Sequence, residues 1–155
     1  MARMMAVTAL ALGMAAAAGA QDRAEYYYPP ITSSETFDRT LAAAPAAERA
    51  VRVAFVTQVT RQQLTAPHPP RYAMFAKGAR ATELVIVALD DEVFSTLYRA
   101  RAVMAQLSAP ARTTDFFVQQ ELSDVATFYD MLKIMGFEEL ILSDGRHWSH
   151  RVAFR

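Results

Sequence analysis

Three polar residues near the C-terminus, Asp144, His147 and His150, form the densest group of side chains that could do chemistry. A carboxylate and two imidazoles can act as general acid and base, or bind a metal ion. Histidines three positions apart can share a ligand on a helix, but on a strand they point to opposite faces. We expect a strand here, so His147 is interpreted as an exposed residue and His150 as a hydrogen-bonded edge residue. A catalytic role is the alternative.

A second polar group, Asp90 and Asp91 followed by Glu92, comes directly after an apolar run at residues 84–89. Carboxylates at the end of a central strand could bind a divalent cation. Acidic residues in the first turn of a helix also stabilise its dipole without any ligand. We favour this second interpretation, and expect neither a metal nor another cofactor.

The aromatic segment Tyr26, Tyr27 and Tyr28, followed by Pro29 and Pro30, is the clearest indication of an interaction. Proline favours extended backbone and excludes helix. Residues 21–32 are therefore predicted to form an extended strap. The strap could dock onto an envelope protein or pack on its own domain, and the sequence leaves both open.

Several function classes are excluded by composition. The chain has no cysteine and five glycines, which rules out thiol catalysis, cysteine zinc sites and a glycine-rich nucleotide loop. Its 16 basic and 16 acidic residues give no electrostatic reason to bind nucleic acid or anionic lipid. Arg52, Arg71, Arg99 and Arg101 could gather an anionic ligand, but we expect scattered exposed arginines.

The elements that must position these residues follow from periodicity and turn signals. Thr32 and Glu35 match a capping box, which predicts a helix over residues 33–44. Alternation predicts a strand over residues 51–59. The remaining predictions are a hairpin of residues 71–77 and 84–89, helices at residues 90–110 and 119–135, and a hairpin of residues 140–142 and 147–154. Gly136 is predicted to end the second of these helices in a left-handed conformation.

Hairpins combined with paired helices predict an α+β fold. We expect a two-layer sandwich, with a mostly antiparallel sheet of about five strands packed by two or three helices. Residues 33–155 have the length of a single domain.

The N-terminus resembles a secretory signal peptide. Arg3 precedes an apolar run at residues 4–18, and the small residues Ala18, Gly19 and Ala20 precede the polar Gln21. This order predicts cleavage after Ala20. We expect a soluble periplasmic or secreted protein with no membrane span after signal removal, and an oligomeric state that the sequence does not define.

The chain resembles a family of small exported proteobacterial proteins of unknown function. Five segments carry the resemblance: residues 53–58, 75–78, 86–92, 97–102 and 136–138. Some members bear the name molybdopterin-guanine dinucleotide biosynthesis protein A. The nucleotidyltransferase of that name begins with a strand and a glycine-rich loop, which this sequence lacks, so the resemblance implies export and not nucleotidyl transfer.

These observations favour a non-catalytic binding or accessory protein that acts through the strap or a face of the sheet. The alternative is a small periplasmic hydrolase or metal-dependent enzyme that uses Asp90, Asp91, Asp144 or His147.

Overall fold

A computed structural model describes residues 28–40, 44, 47–91, 93–113, 115, 118 and 127–155. The predicted signal peptide, the strap residues Tyr26 and Tyr27, and residues 119–126 of the predicted helix at 119–135 lie outside these described residues. The described part contains five strands and three helices, which confirms the predicted α+β class.

The five strands form one sheet in the spatial order β1-β5-β4-β3-β2. They are β1 (Ser33–Phe37), β2 (Tyr72–Lys77), β3 (Glu83–Ala88), β4 (Glu139–Ser143) and β5 (Ser149–Phe154). The hairpins β2–β3 and β4–β5 are antiparallel, as predicted, whereas β1–β5 and β3–β4 are parallel pairs. The parallel pairs join segments far apart in sequence.

Residues 33–37 form strand β1, so the predicted helix at 33–44 is wrong. Ser33 pairs with His150, and Phe37 with Phe154. Thr32 does not cap a helix, because its backbone N–H and its hydroxyl both donate to the carbonyl of Ser149, at 3.0 and 2.6 Å. Pairing with β5 therefore outweighs the local helix signal.

The predicted strand at residues 51–59 is also wrong, since these residues lie in helix α1 (Arg49–Thr65). The buried positions of α1 are Arg52, Phe55 and Val59, which share one helical face. The apolar residues alternate well enough to match a strand, but the buried ones follow the helical period.

Helix α2 (Leu97–Arg112) begins later than predicted. Asp90 and Asp91 lie in the turn before it, and the hydroxyl of Thr96 accepts a 3.2 Å hydrogen bond from the N–H of Arg99. Pro110, predicted to end the helix, instead lies in its last turn.

Helix α3 (Phe128–Ile134) has well-defined ends. Thr127 and Asp130 form a reciprocal capping box at its start. At its end Gly136 has φ 74°, and the N–H of Phe137 reaches the carbonyl of Leu132 at 2.9 Å. This is the left-handed cap that the sequence predicts.

The main core lies between the three helices and one face of the sheet. Its largest fully buried side chains include Phe55, Phe94, Phe128, Leu84 and Leu140. A smaller cluster of Tyr28, Val85 and Ile141 lies apart from this core. The candidate site lies at the edge of the helix layer that is beside β1.

Candidate functional site

The structure places Asp144, His147 and His150 in different surroundings. The Asp144 carboxylate accepts backbone N–H groups from Arg146, His147 and Trp148 at 2.8 to 2.9 Å, which folds the β4–β5 turn. Burial alone would raise the pKa of Asp144, but these donors and the nearby His147 lower it. The His147 side chain is exposed, whereas His150 is buried. Asp144 is thus occupied in holding the turn.

His150 lies on β5 beside the edge strand β1. Its ring is 2 % exposed and stacks on Trp148, with the ring centroids 6.1 Å apart. Nδ1 lies 2.8 Å from the hydroxyl of Ser33. Nε2 is buried without a hydrogen-bond partner among the described residues, and the nearest carboxylate oxygen is Oε1 of Glu35, at 3.6 Å. A buried ring nitrogen without a partner is costly, which marks this position as unusual.

Glu35 connects His150 to the two helices that pack on this part of the sheet. Its Oε2 pairs with the guanidinium of Arg101 on α2 at 2.6 Å. Its Oε1 accepts a 3.4 Å hydrogen bond from the hydroxyl of Tyr129 on α3. Burial, together with the Glu35 carboxylate, raises the pKa of Tyr129 to about 12, although Arg101 opposes the shift. Tyr129 is therefore a hydrogen-bond donor at neutral pH.

A groove of about 790 Å³ opens beside this polar group. One wall is a single face of α2, with residues at helical spacing: Arg101, Met104, Ala105, Ser108, Ala109 and Arg112. The opposite wall includes Glu35, Thr36 and Phe37 of β1 and Thr127, Phe128 and Tyr129 at the start of α3. The groove therefore has small and apolar side chains along its middle, with the Glu35–Arg101 pair at one end.

Asp90 and Asp91 pair with arginines in the structure. Asp90 lies 3.6 Å from Arg71, and Asp91 lies 3.0 Å from Arg146. The residues that the structure describes contain no group of three or more His, Asp or Glu side chains that could hold a metal ion. Because α2 begins at Leu97, the two acids also do not occupy its first turn.

The end of the strap packs on its own domain. Tyr28 is buried beside Val85 and Ile141, and its hydroxyl donates to Glu83 at 3.0 Å. The hydroxyl of Ser149 donates to the carbonyls of Pro29 and Pro30. Docking through Tyr26 and Tyr27 stays a prediction.

Comparison with known proteins gives no relative. No family model, no curated protein and no solved structure matches this chain. Within the described ranges, no helix is long and apolar enough to cross a membrane.

Sequence reasoning identified His150 but missed its neighbours Ser33, Glu35 and Tyr129, and treated Arg101 as one of several scattered arginines. Ser33 and Glu35 were assigned to a helix, which hid their position beside β5. The sequence does contain a signal for the groove-lining face of α2. Small residues lie at helical spacing between Arg101 and Arg112.

Proposed function

We propose that this chain is an exported periplasmic binding protein without catalytic activity, and that the groove holds a small ligand with an apolar body. The observation that carries the proposal is the groove between β1, α2 and α3, about 790 Å³ in volume. Pockets that bind small molecules have volumes of about 300 to 1,000 Å³ and mostly apolar walls with a few polar groups.

The walls of the groove support this function because they have both properties. Met104, Phe37 and Phe128 provide apolar surface, and Ala105 and Ala109 leave room beside it. Polar groups are concentrated where Glu35 meets Arg101. A ligand with an apolar body and one polar end would therefore match both the apolar walls and the polar end of the groove.

Export is supported by the N-terminal sequence, in which an apolar run ends at Ala18, Gly19 and Ala20. Mass spectrometry of the protein recovered from the periplasm should find Gln21 as the first residue. Recovery of the chain from the cytoplasm with Met1 intact would contradict export and leave the groove to be tested separately.

Binding can be tested with 1-anilinonaphthalene-8-sulfonate, a fluorescent dye with an apolar aromatic body and one anionic sulfonate group, displaced by decanol. Ala105→Trp should fill the groove and abolish dye binding, because Ala105 lines it. Ala102→Trp is the matched control, since Ala102 is an exposed alanine on the same helix outside the groove lining. Equal dye binding by both variants would refute the groove as the binding site.

A second candidate function, acyl hydrolysis, is favoured by one contact. The Ser33 hydroxyl lies 2.8 Å from His150 Nδ1, and Glu35 lies 3.6 Å from the other ring nitrogen. A nucleophile, a base and an orienting acid have this order in serine hydrolases. Labelling of Ser33 by a fluorophosphonate, lost in Ser33→Ala, would favour hydrolysis, and absence of labelling would leave binding as the function.

A further inference from the structure

We propose that the ligand of the groove is a carboxylate with an apolar chain, and that binding transfers Glu35 from Arg101 to His150 with uptake of one proton. This inference rests on the proposed binding function. It concerns the end of the groove where Glu35, Arg101, Tyr129 and His150 meet.

The geometry shows that this end accepts a carboxylate. The Glu35 carboxylate already lies 2.6 Å from the Arg101 guanidinium, which is a close, charge-assisted contact. The Arg101 side chain is 56 % exposed, so a carboxylate from solvent can approach it. Glu35 thus occupies the position that a ligand carboxylate would take.

The dimensions of the groove favour an extended apolar chain behind that carboxylate. The α2 wall runs from Arg101 to Arg112. Eleven residues at a rise of about 1.5 Å each span roughly 16 Å. Between them lie Ala105, Ser108 and Ala109, whose short side chains leave a channel along the helix. The extended chain of decanoate is shorter than this wall and fits along it.

His150 offers Glu35 a second partner. Its buried Nε2 has no hydrogen-bond partner among the described residues and lies 3.6 Å from Glu35 Oε1. On its other side, the Ser33 hydroxyl can accept from Nδ1 when the imidazole carries two protons. Glu35 therefore needs only a small movement toward β5 to bond a protonated imidazole.

Charge balance gives the proton count. In the free protein the negative charge of Glu35 is neutralised by Arg101. A ligand carboxylate on Arg101 leaves Glu35 as an uncompensated negative charge, which is costly in a partly buried site. Protonation of His150 restores neutrality. Glu35 from β1 is the charged group that faces His150 among the described residues, while Arg101 from α2 and Tyr129 from α3 contact Glu35.

The test compares decanoate with decanol by isothermal titration calorimetry at about pH 7, in buffers that differ in ionisation enthalpy. Wild type should bind decanoate about tenfold or more tightly than decanol, because of the charge-assisted pair. It should also take up close to one proton per decanoate. Arg101→Gln should bind the two compounds alike. The matched control is Arg99→Gln, since Arg99 is exposed on the same helix outside the groove lining.

Two further variants test the transfer of Glu35. Glu35→Gln should bind decanoate more tightly than wild type and without proton uptake, because the competing carboxylate is gone. His150→Gln should also lose proton uptake, whereas His147→Gln should retain it, because His147 is the exposed histidine of the same hairpin. If His150→Gln does not fold, proton uptake that persists in Glu35→Gln would still refute the transfer.

Three outcomes would overturn the inference. Equal affinity of wild type for decanoate and decanol would refute carboxylate recognition and leave the groove intact as an apolar site. Proton uptake that persists in Glu35→Gln or His150→Gln would refute the transfer. Failure of the protein to bind decanol, decanoate and the fluorescent dye would instead refute the proposed binding function itself.

Discussion

Gly136→Ala is the substitution for which the structure gives the sharpest expectation. Gly136 has φ 74° at the end of α3, and a Cβ built there would lie 2.9 Å from Nη1 of Arg52. Arg52 is 5 % exposed, and the same Nη1 donates to the carbonyls of Ala47 and Met135 at 2.9 and 3.0 Å. Burial lowers the pKa of Arg52 from its ordinary value, as does the neighbouring Arg80, although Glu138 opposes the shift. The added methyl group would push this buried guanidinium away from its carbonyl partners.

The expected cost has two parts. The left-handed backbone costs an alanine about 1 to 2 kcal/mol. Displacing the guanidinium weakens a hydrogen bond from a charged donor, worth about 1.5 to 3 kcal/mol. Gly136→Ala should therefore lower the free energy of unfolding by about 2.5 to 5 kcal/mol, the sum of the two parts. Gly78→Ala is the matched control, because Gly78 has φ 82° but nothing within 4 Å of its Cβ position. It should cost only the backbone part, about 1 to 2 kcal/mol.

Urea denaturation followed by the fluorescence of Trp148, the single tryptophan, measures both costs. The reasoning requires that Gly136→Ala cost about 2 kcal/mol more than Gly78→Ala. If the two variants agree within about 0.5 kcal/mol, Arg52 does not hold the end of α3 in the way described.

Three more predictions concern charged and titrating groups. Asp144→Ala should cost about 1 to 3 kcal/mol at neutral pH, since Asp144 accepts three backbone N–H groups. Because folding lowers the pKa of Asp144, this cost should be present above about pH 4 and shrink as the pH falls below that value, measured by urea denaturation across pH. Folding raises the pKa of Tyr129 from 10.0 to about 12, so its contribution to stability is complete below about pH 10 and is lost as the pH rises toward 12. Melting temperatures should fall over this range less steeply in Tyr129→Phe than in wild type, and parallel curves would contradict the role of burial. The double variant Asp90→Asn with Asp91→Asn should cost less than about 1 kcal/mol, because both acids form exposed ion pairs. Millimolar magnesium or calcium should leave the melting temperature unchanged, and a rise that the double variant abolishes would restore the metal hypothesis.

Local sequence patterns predicted the structure correctly where its hydrogen bonds join residues that are close together in the chain. The β4–β5 hairpin follows from the turn at Ser143, Asp144 and Gly145, and Gly145 has the positive φ of 74° that such a turn needs. Gly136 follows from the same logic at the end of α3. In both cases the hydrogen bonds join residues a few positions apart, so the sequence contains the whole interaction.

Local sequence patterns predicted the wrong element where the same residues matched both a helix and a strand. The segment of α1 alternates apolar and polar residues closely enough to match a strand, yet Arg52, Phe55 and Val59 are buried on one helical face. At Thr32 and Glu35 the capping pattern is present, but the chain instead extends along β5. Packing against distant elements decides such cases, because each local preference is worth less than the burial it competes with.

The sequence by itself determined the class of fold, the absence of disulfides and of thiol chemistry, and the candidacy of His150. Only the tertiary structure decided what surrounds His150. Ser33 and Glu35 reach it through parallel pairing with a strand more than a hundred residues away, and Arg101 and Tyr129 reach Glu35 from two different helices. Two parallel strands that no turn connects leave no local pattern in the sequence. The groove and its polar end can therefore be recognised only in the folded sheet.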